Sequence, residues 1–233
     1  MSRSTDIGEV YKRRRTLHPR GYYSLFDPGH LYLMQRRERE LLKQIGALDI
    51  KHLSELRLLD VGCSTGQWLQ RFLADGVRDD RAFGIELQHA LLRDAAVYRP
   101  GLHLANADAA ALPFADATFD LVHQATLMTL VPDPAVRQRI AQEMLRVVRP
   151  DGAILWFDMR YSNPKNPDIR GIGSKELRSL FPGCSIKMKS LSLVPMLTRR
   201  IASWSFTAAR VLELVPPLRI HYLATILPPG AKG

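Results

Sequence analysis

From Leu56 to Phe157 the chain alternates short apolar runs with longer stretches whose apolar residues recur every three or four positions. The short runs, Leu56–Val61, Ala82–Glu86, Leu102–Ala105, Phe119–Gln124 and Ala153–Phe157, predict strands. The periodic stretches between them, Gln67–Ala74, Gln88–Tyr98 and Ala135–Val148, predict helices. Pro150-Asp151-Gly152 reads as a turn into the fifth strand. Such alternation implies an α/β fold: a parallel sheet with helices on both faces.

The flanks follow other patterns. The first 30 residues are irregular, and Leu31 to Ile45 predicts an amphipathic helix. Its apolar positions are Leu33, Leu41, Leu42 and Ile45, with Arg36, Arg37, Arg39 and Lys43 on wet faces and Gly46 at its end. After Asp158 comes a polar loop with Pro164 and Pro167, then a short helix with Ser174 as its N-cap. Two further strands, Ser185–Leu193 and Leu218–Leu227, flank a helix over 196–214, whose stripe is Leu197, Ile201, Trp204, Ala208 and Val211.

At 233 residues the chain suits a single domain with appended elements. Its net charge of +10 is uneven. Residues 1–44 carry ten Lys/Arg against five Asp/Glu, residues 45–160 twelve against fifteen, and residues 161–233 eleven against three. Basic flanks around a faintly acidic middle suit an anionic partner: nucleic acid, a phosphorylated substrate or an acidic lipid surface. They serve equally as a solvated surface. The two cysteines, Cys63 and Cys184, form no CxxC pair or Cys/His cluster, so neither a metal centre nor a disulfide framework is expected. No apolar h-region follows the basic run Lys12 to Arg15, and no stretch is apolar enough to span a bilayer. A cytoplasmic location is expected, with peripheral attachment to the inner face of the membrane compatible with it.

The chemistry concentrates at Asp60-Val61-Gly62-Cys63-Ser64-Thr65-Gly66, where an apolar strand enters a glycine turn and a helix starts. Glycine lets a ligand approach the backbone, and helix-terminal amides face the crevice at the strand's carboxyl end. Asp60 would repel a pyrophosphate and suit a ligand carrying an ammonium group. This segment resembles the first motif of class I S-adenosylmethionine (SAM)-dependent methyltransferases, with Ser64 where the family has its middle glycine. Four companions follow in order: Phe83-Gly84-Ile85-Glu86, whose acid suits ribose hydroxyls; Asp108 to Phe114, similar to the family's D-x-x-x-L-P-F loop; Phe119-Asp120-Leu121-Val122; and Glu143 to Gly152, similar to E-hydrophobic-x-R-V-L-(K/R)-P-G-G. The resemblance covers about residues 55–158.

It implies a Rossmann-like seven-stranded, mostly parallel sheet in the order 3-2-1-4-5-7-6, with strand 7 antiparallel. Residues 1–45 then form an N-terminal arm and helix, and 159–233 an acceptor-side region. SAM is the implied cofactor, with S-adenosylhomocysteine as its product. Asp60, Gly62, Cys63, Ser64, Gly66, Glu86, Leu87, Asp108, Ala109 and His123 are the implied contacts. Alone, Asp60 or Asp108 would more often cap a helix or turn.

In-line methyl transfer needs chiefly alignment, and an oxygen or nitrogen nucleophile also needs a base. His123, at the end of the fourth strand, is the candidate base or a packed core histidine. Asp158, ending the fifth, orients an acceptor or caps a loop. His30, Tyr22 and Tyr23 are lid anchors or staples for the first helix, and Arg13, Arg14 and Arg15 meet an anion or water. The segments from Asn163 to Ile172 and Leu218 to Leu223 are similar to tails of bacterial methyltransferases of surface-glycan assembly, which implies a sugar hydroxyl as acceptor. Three readings stand: O-methylation of a sugar, glycan or other small molecule; RNA methylation, disfavoured because His123-Gln124-Ala125-Thr126 is no base-amine motif; and a non-catalytic SAM-binding partner subunit.

Overall fold

A computed structural model describes residues 22–48, 50, 52–98, 101–163 and 169–231. Arg13, Arg14, Arg15, Gly21 and the segment 164–168 lie outside the described residues. The apolar runs become strands β1 (Leu58–Val61), β2 (Ala82–Glu86), β3 (His103–Asn106), β4 (Phe119–Ala125) and β5 (Val148–Met159). With β6 (Ser185–Leu193) and β7 (Arg219–Leu227) they form one sheet, ordered β3-β2-β1-β4-β5-β7-β6. β1 to β5 pair in parallel, and β7 runs antiparallel to both its neighbours, as expected for this fold class.

Helices α1 (Pro28–Ile45), α2 (Gln67–Ala74), α3 (His89–Tyr98), α4 (Pro134–Val147) and α5 (Ser174–Leu180) sandwich the sheet. Two apolar clusters, one per face, follow from the alternation of side chains along the strands. Leu59, Val61, Val122, Ile154 and Trp156 pack with Ile140 and Met144 of α4 and Leu177 of α5. Leu58, Leu121, Leu155 and Phe157 pack on the other face with Leu41 of α1 and Leu69 and Phe72 of α2. The carboxyl ends of β1, β2, β4 and β5 therefore open between these two helical layers.

Several local expectations need correction. Pro150-Asp151-Gly152 is no free turn: it lies inside β5 as an irregularity, because Phe119 pairs with Val148 while Leu121 pairs with Ala153. Ser174 is the first helical residue rather than the cap; Gly173 takes the cap position without a side-chain bond. α1 starts earlier, at Pro28, because Asp27 accepts from the His30 amide and proline suits the first turn. The helix expected over 196–214 is two, α6 (Pro195–Ala202) and α7 (Phe206–Leu212), with Ser205 capping the second by accepting from the Ala208 amide. A local cap competes with helix continuation there, and Trp204 and Val211 turn outward instead of joining a buried stripe.

Candidate functional site

The β1–α2 turn is a run of left-handed residues: φ is +73° at Gly62, +52° at Ser64 and +74° at Gly66. Glycine adopts this without strain, whereas Ser64 holds it at a cost. That cost is offset by a bond: the Ser64 amide donates to Glu86 Oε2 at 3.0 Å. Glu86 Oε1 accepts from the Gln88 amide at 2.9 Å. Burial pushes the Glu86 carboxyl up, and these amides pull it back. Each carboxylate oxygen still has a free lone pair for a hydroxyl. Gly84 lets α2 settle on β2, since a Cβ there would stand 2.6 Å from Leu69 Cδ1 and 2.9 Å from Cys63 Sγ. Cys63 is buried, its thiol raised by desolvation and then by Asp60 and Glu86.

Asp60 and His123 are register partners on β1 and β4. Their side chains meet in the interior, Nδ1 and Oδ1 at 2.7 Å, each 1% exposed. Trp68 and Phe72 of α2 enclose the imidazole, at centroid separations of 5.4 and 5.3 Å. The remaining polar atoms of the pair, Asp60 Oδ2 and His123 Nε2, are buried without a partner among the described residues.

Two further groups pack around this pair. Arg37 reaches in from α1, its guanidinium 4.0 Å from the Trp68 centroid and 3.8 Å from that of Phe157. Desolvation lowers its pKa to about 9, opposed by Asp60 and Asp158, so it stays charged at neutral pH. His221 of β7 stacks on Phe157 at 4.6 Å, its pKa pushed down to about 3 by burial and then by Arg37. Arg37 Nη2 and His221 Nδ1 are buried and unpartnered as well. Four orphaned polar atoms in one cluster are a strong mark of a ligand site, since burying such groups unpaired is costly.

Asp158, in contrast, is committed. Its Oδ2 accepts from the Met128 and Thr129 amides at 3.0 and 3.3 Å, and its Oδ1 from the Met159 amide. It thereby fixes the 3-10 turn Met128–Leu130 that follows β4. Asp108 is exposed and accepts from the Ala110 amide at 2.8 Å, and Ala109 packs beneath it in the core. Leu87 is 36% exposed. Asn106 ties this loop to β2 by donating to the Glu86 and Leu87 carbonyls. The loop's other tether is Arg146, which donates to the Leu112 and Phe114 carbonyls, Asp116 and Glu143, while Glu143 accepts from the Leu112 amide at 2.6 Å. Tyr22 packs on Arg199 of α6, and Tyr23 edges on His30 of α1.

Asp60, the glycine turn, Glu86 and His123 thus converge, and Asp108 lies on the loop beyond β3. Arg37, His221 and the Glu143–Arg146 clamp escaped the sequence reading. For Arg37 a signal existed: Leu33, Arg37, Leu41 and Ile45 are four apart, so the arginine interrupts the apolar stripe. Its expected place on a wet face is corrected, as is that of Arg36, which is 11% exposed and paired with Glu213. Among the described residues no group of three or more His, Cys, Asp and Glu is placed to hold a metal.

Residues 58–152 match a family model described as a methyltransferase domain. The chain is 32% identical over 105 residues to a demethylmenaquinone methyltransferase of Shouchella clausii, covering 43% of each. It is 36% identical over 123 residues to a malonyl-[acyl-carrier protein] O-methyltransferase of Erwinia pyrifoliae, covering 50% of this chain and 44% of that one. The chain spans less than half the length of these curated relatives. The PH0226 protein of Pyrococcus horikoshii OT3 shares the fold with a TM-score of 0.60 at 14% identity, over 84% of this chain and 89% of that chain.

Proposed function

From the premise that residues 58–152 are a class I SAM-dependent methyltransferase domain, we propose that the chain methylates an oxygen of a small-molecule acceptor, a sugar or glycan hydroxyl. One observation carries the reading: a buried cluster of complementary charge beside the glycine turn, with an orphaned acceptor on Asp60 and an orphaned donor on Arg37. Those groups fit the two ends of a free amino acid, ammonium to Asp60 Oδ2 and carboxylate to Arg37 Nη2. Glu86 suits the ribose hydroxyls, and the loop from Asp108 the adenine. When bound, SAM supplies a methyl group on a positively charged sulfur, an electrophile with a good leaving group.

The protein's part is alignment and proton removal. With Nδ1–H donated to Asp60, His123 keeps its Nε2 lone pair to take the acceptor's proton, the orientation that a carboxylate imposes on a catalytic histidine. Asp158 positions rather than reacts, holding the β4 loop beside the acceptor. The basic residues after 160 suit an acceptor carrying phosphate. The O-methyltransferase among the relatives supports an oxygen nucleophile.

The test is mass spectrometry of extracts from a deletion strain and its complemented parent. A metabolite lighter by one methyl group in the deletion, converted by purified chain and SAM, is the expected result. His123→Asn keeps an amide donor for Asp60 while removing the base. Turnover should fall on the order of a hundredfold or more, with SAM affinity nearly unchanged. Full turnover in that variant would dismiss His123 as base.

A further inference from the structure

α7 turns Ala209 and Leu212 inward against Tyr32 and Leu193, whereas large apolar groups on and beside it face out: Trp204 is 86% exposed, Val211 59% and Leu214 59%. Phe206 and Val215 extend the strip. Burying large apolar side chains is stabilising, so a strip of them left facing water marks a surface for a partner outside the fold. The strip does not stand alone. Met196 projects from the first turn of α6, and Arg199 ties α6 to Asp27 and Tyr22, next to Phe26, which is 99% exposed.

Cations edge this apolar surface. Arg200 and Arg210 are exposed on the same two helices. Phe206 forms one wall of a groove of about 750 Å³ whose other walls include Arg39, Leu42, Lys43 and the ion pair of Arg71 with Glu38. Glu213, the one carboxylate of α6, α7 and the turn behind them, is buried and bound by Tyr32, Arg36, Arg210 and the Ser192 amide. The exposed face is therefore apolar and cationic, without an exposed acid on these helices.

We propose that α6 and α7 dock on an anionic lipid bilayer, with Trp204, Val211 and Leu214 entering the interface and Arg200 meeting headgroup phosphates. Charge complementarity selects this occupant. A second copy would bring like charges together, and a nucleic acid would leave the apolar strip wet. None of the helices described is long and apolar enough to cross a membrane, so the contact is peripheral. The proposal deepens the reading of a glycan acceptor, for it would bring a lipid-linked one to the site, yet its test needs no methyl transfer.

Full-length protein is sedimented with vesicles of phosphatidylcholine alone and of phosphatidylcholine with phosphatidylglycerol, at low and high salt. Trp68 and Trp156 lie within the fold, so a blue shift of tryptophan emission on mixing reports Trp204. The expected result is binding to the anionic vesicles with that shift, weakened by salt. Trp204→Ser should lower partition about tenfold, and Arg200→Glu should weaken binding to the anionic vesicles, each with an unchanged melting temperature. Equal binding to neutral vesicles, or no loss in either variant, overturns the proposal. So does a dimer in sedimentation velocity that Trp204→Ser dissociates, or Trp204-dependent binding of an RNA oligonucleotide without vesicle binding. Vesicle binding by a protein that fails to bind SAM would leave this surface standing and remove the methyltransferase reading.

Discussion

Glu86 and Arg37 make the two most direct demands on a ligand, and single substitutions separate them. Glu86 loses water on burial and recovers amide bonds from Gln88, Ser64 and Leu87, to which a ribose diol would add. Charged hydrogen bonds contribute about 1.5–3 kcal/mol each, so Glu86→Ala should weaken SAM binding roughly ten- to a hundredfold in calorimetry. Unchanged affinity in a folded variant would remove Glu86 from the site. Arg37→Met keeps a soft side chain against Trp68 and Phe157 while deleting the donor. S-adenosylhomocysteine should then bind about tenfold or more weakly, and methylthioadenosine, which lacks the amino-acid end, should bind as before. Equal losses for both ligands would make Arg37 a packing residue instead. Of these two residues only Glu86 is proposed from sequence, because a carboxylate ending the second strand can accept both hydroxyls of a ribose. Arg37 was written in the apolar stripe of α1, but only the packed helix shows where its guanidinium ends.

At the scale of elements, the Glu143–Arg146 pair is the instructive case. Both were read as part of a motif at the end of α4, with no task of their own. In the fold one turn of α4 clamps the loop that carries Asp108: Arg146 holds two of its carbonyls and Asp116, and Glu143 holds the Leu112 amide. Arg146 holds the Glu143 carboxyl below its usual range, so the clamp persists in mild acid. Arg146→Ala should speed amide exchange across residues 107–118 and reduce SAM affinity severalfold, while α4 itself stays protected. Uniform exchange across the chain would mean global destabilisation and refute a local clamp. The break between α6 and α7 makes a similar point. Apolar spacing over 196–214 suited one helix, yet the Ser205 hydroxyl caps a new one, a choice that depends on where Tyr32 and Leu193 let each half pack.

For the whole molecule, opposite layers of the sheet carry opposed pH responses. His221 has its pKa pushed down to about 3 by burial and then Arg37, so the folded chain binds fewer protons than the unfolded one as pH falls below 6.5. Its contribution is present above that pH and is lost on acidification. Asp158 has its pKa pushed up to about 6 by burial, so its contribution is full at low pH and is lost as pH rises through about 6. Between about pH 6 and 4 the two oppose each other. Relative to the wild type, His221→Phe should gain about 1–3 kcal/mol of stability over that acidification, read as the change in denaturant midpoint. A difference that does not move with pH would mean His221 titrates normally. The same molecule-wide view separates what each level of description decided. Strand and helix sequence, the parallel core, the glycine turn with Asp60 and the acid at Glu86 were all written locally, because apolar period and turn chemistry act over a few residues. The Asp60–His123 bond spans 63 positions, and the cluster around it draws Arg37 and His221 from opposite ends of the chain. Desolvation and orphaned polar atoms exist only once distant segments exclude water together, so that part of the site belonged to the tertiary structure alone.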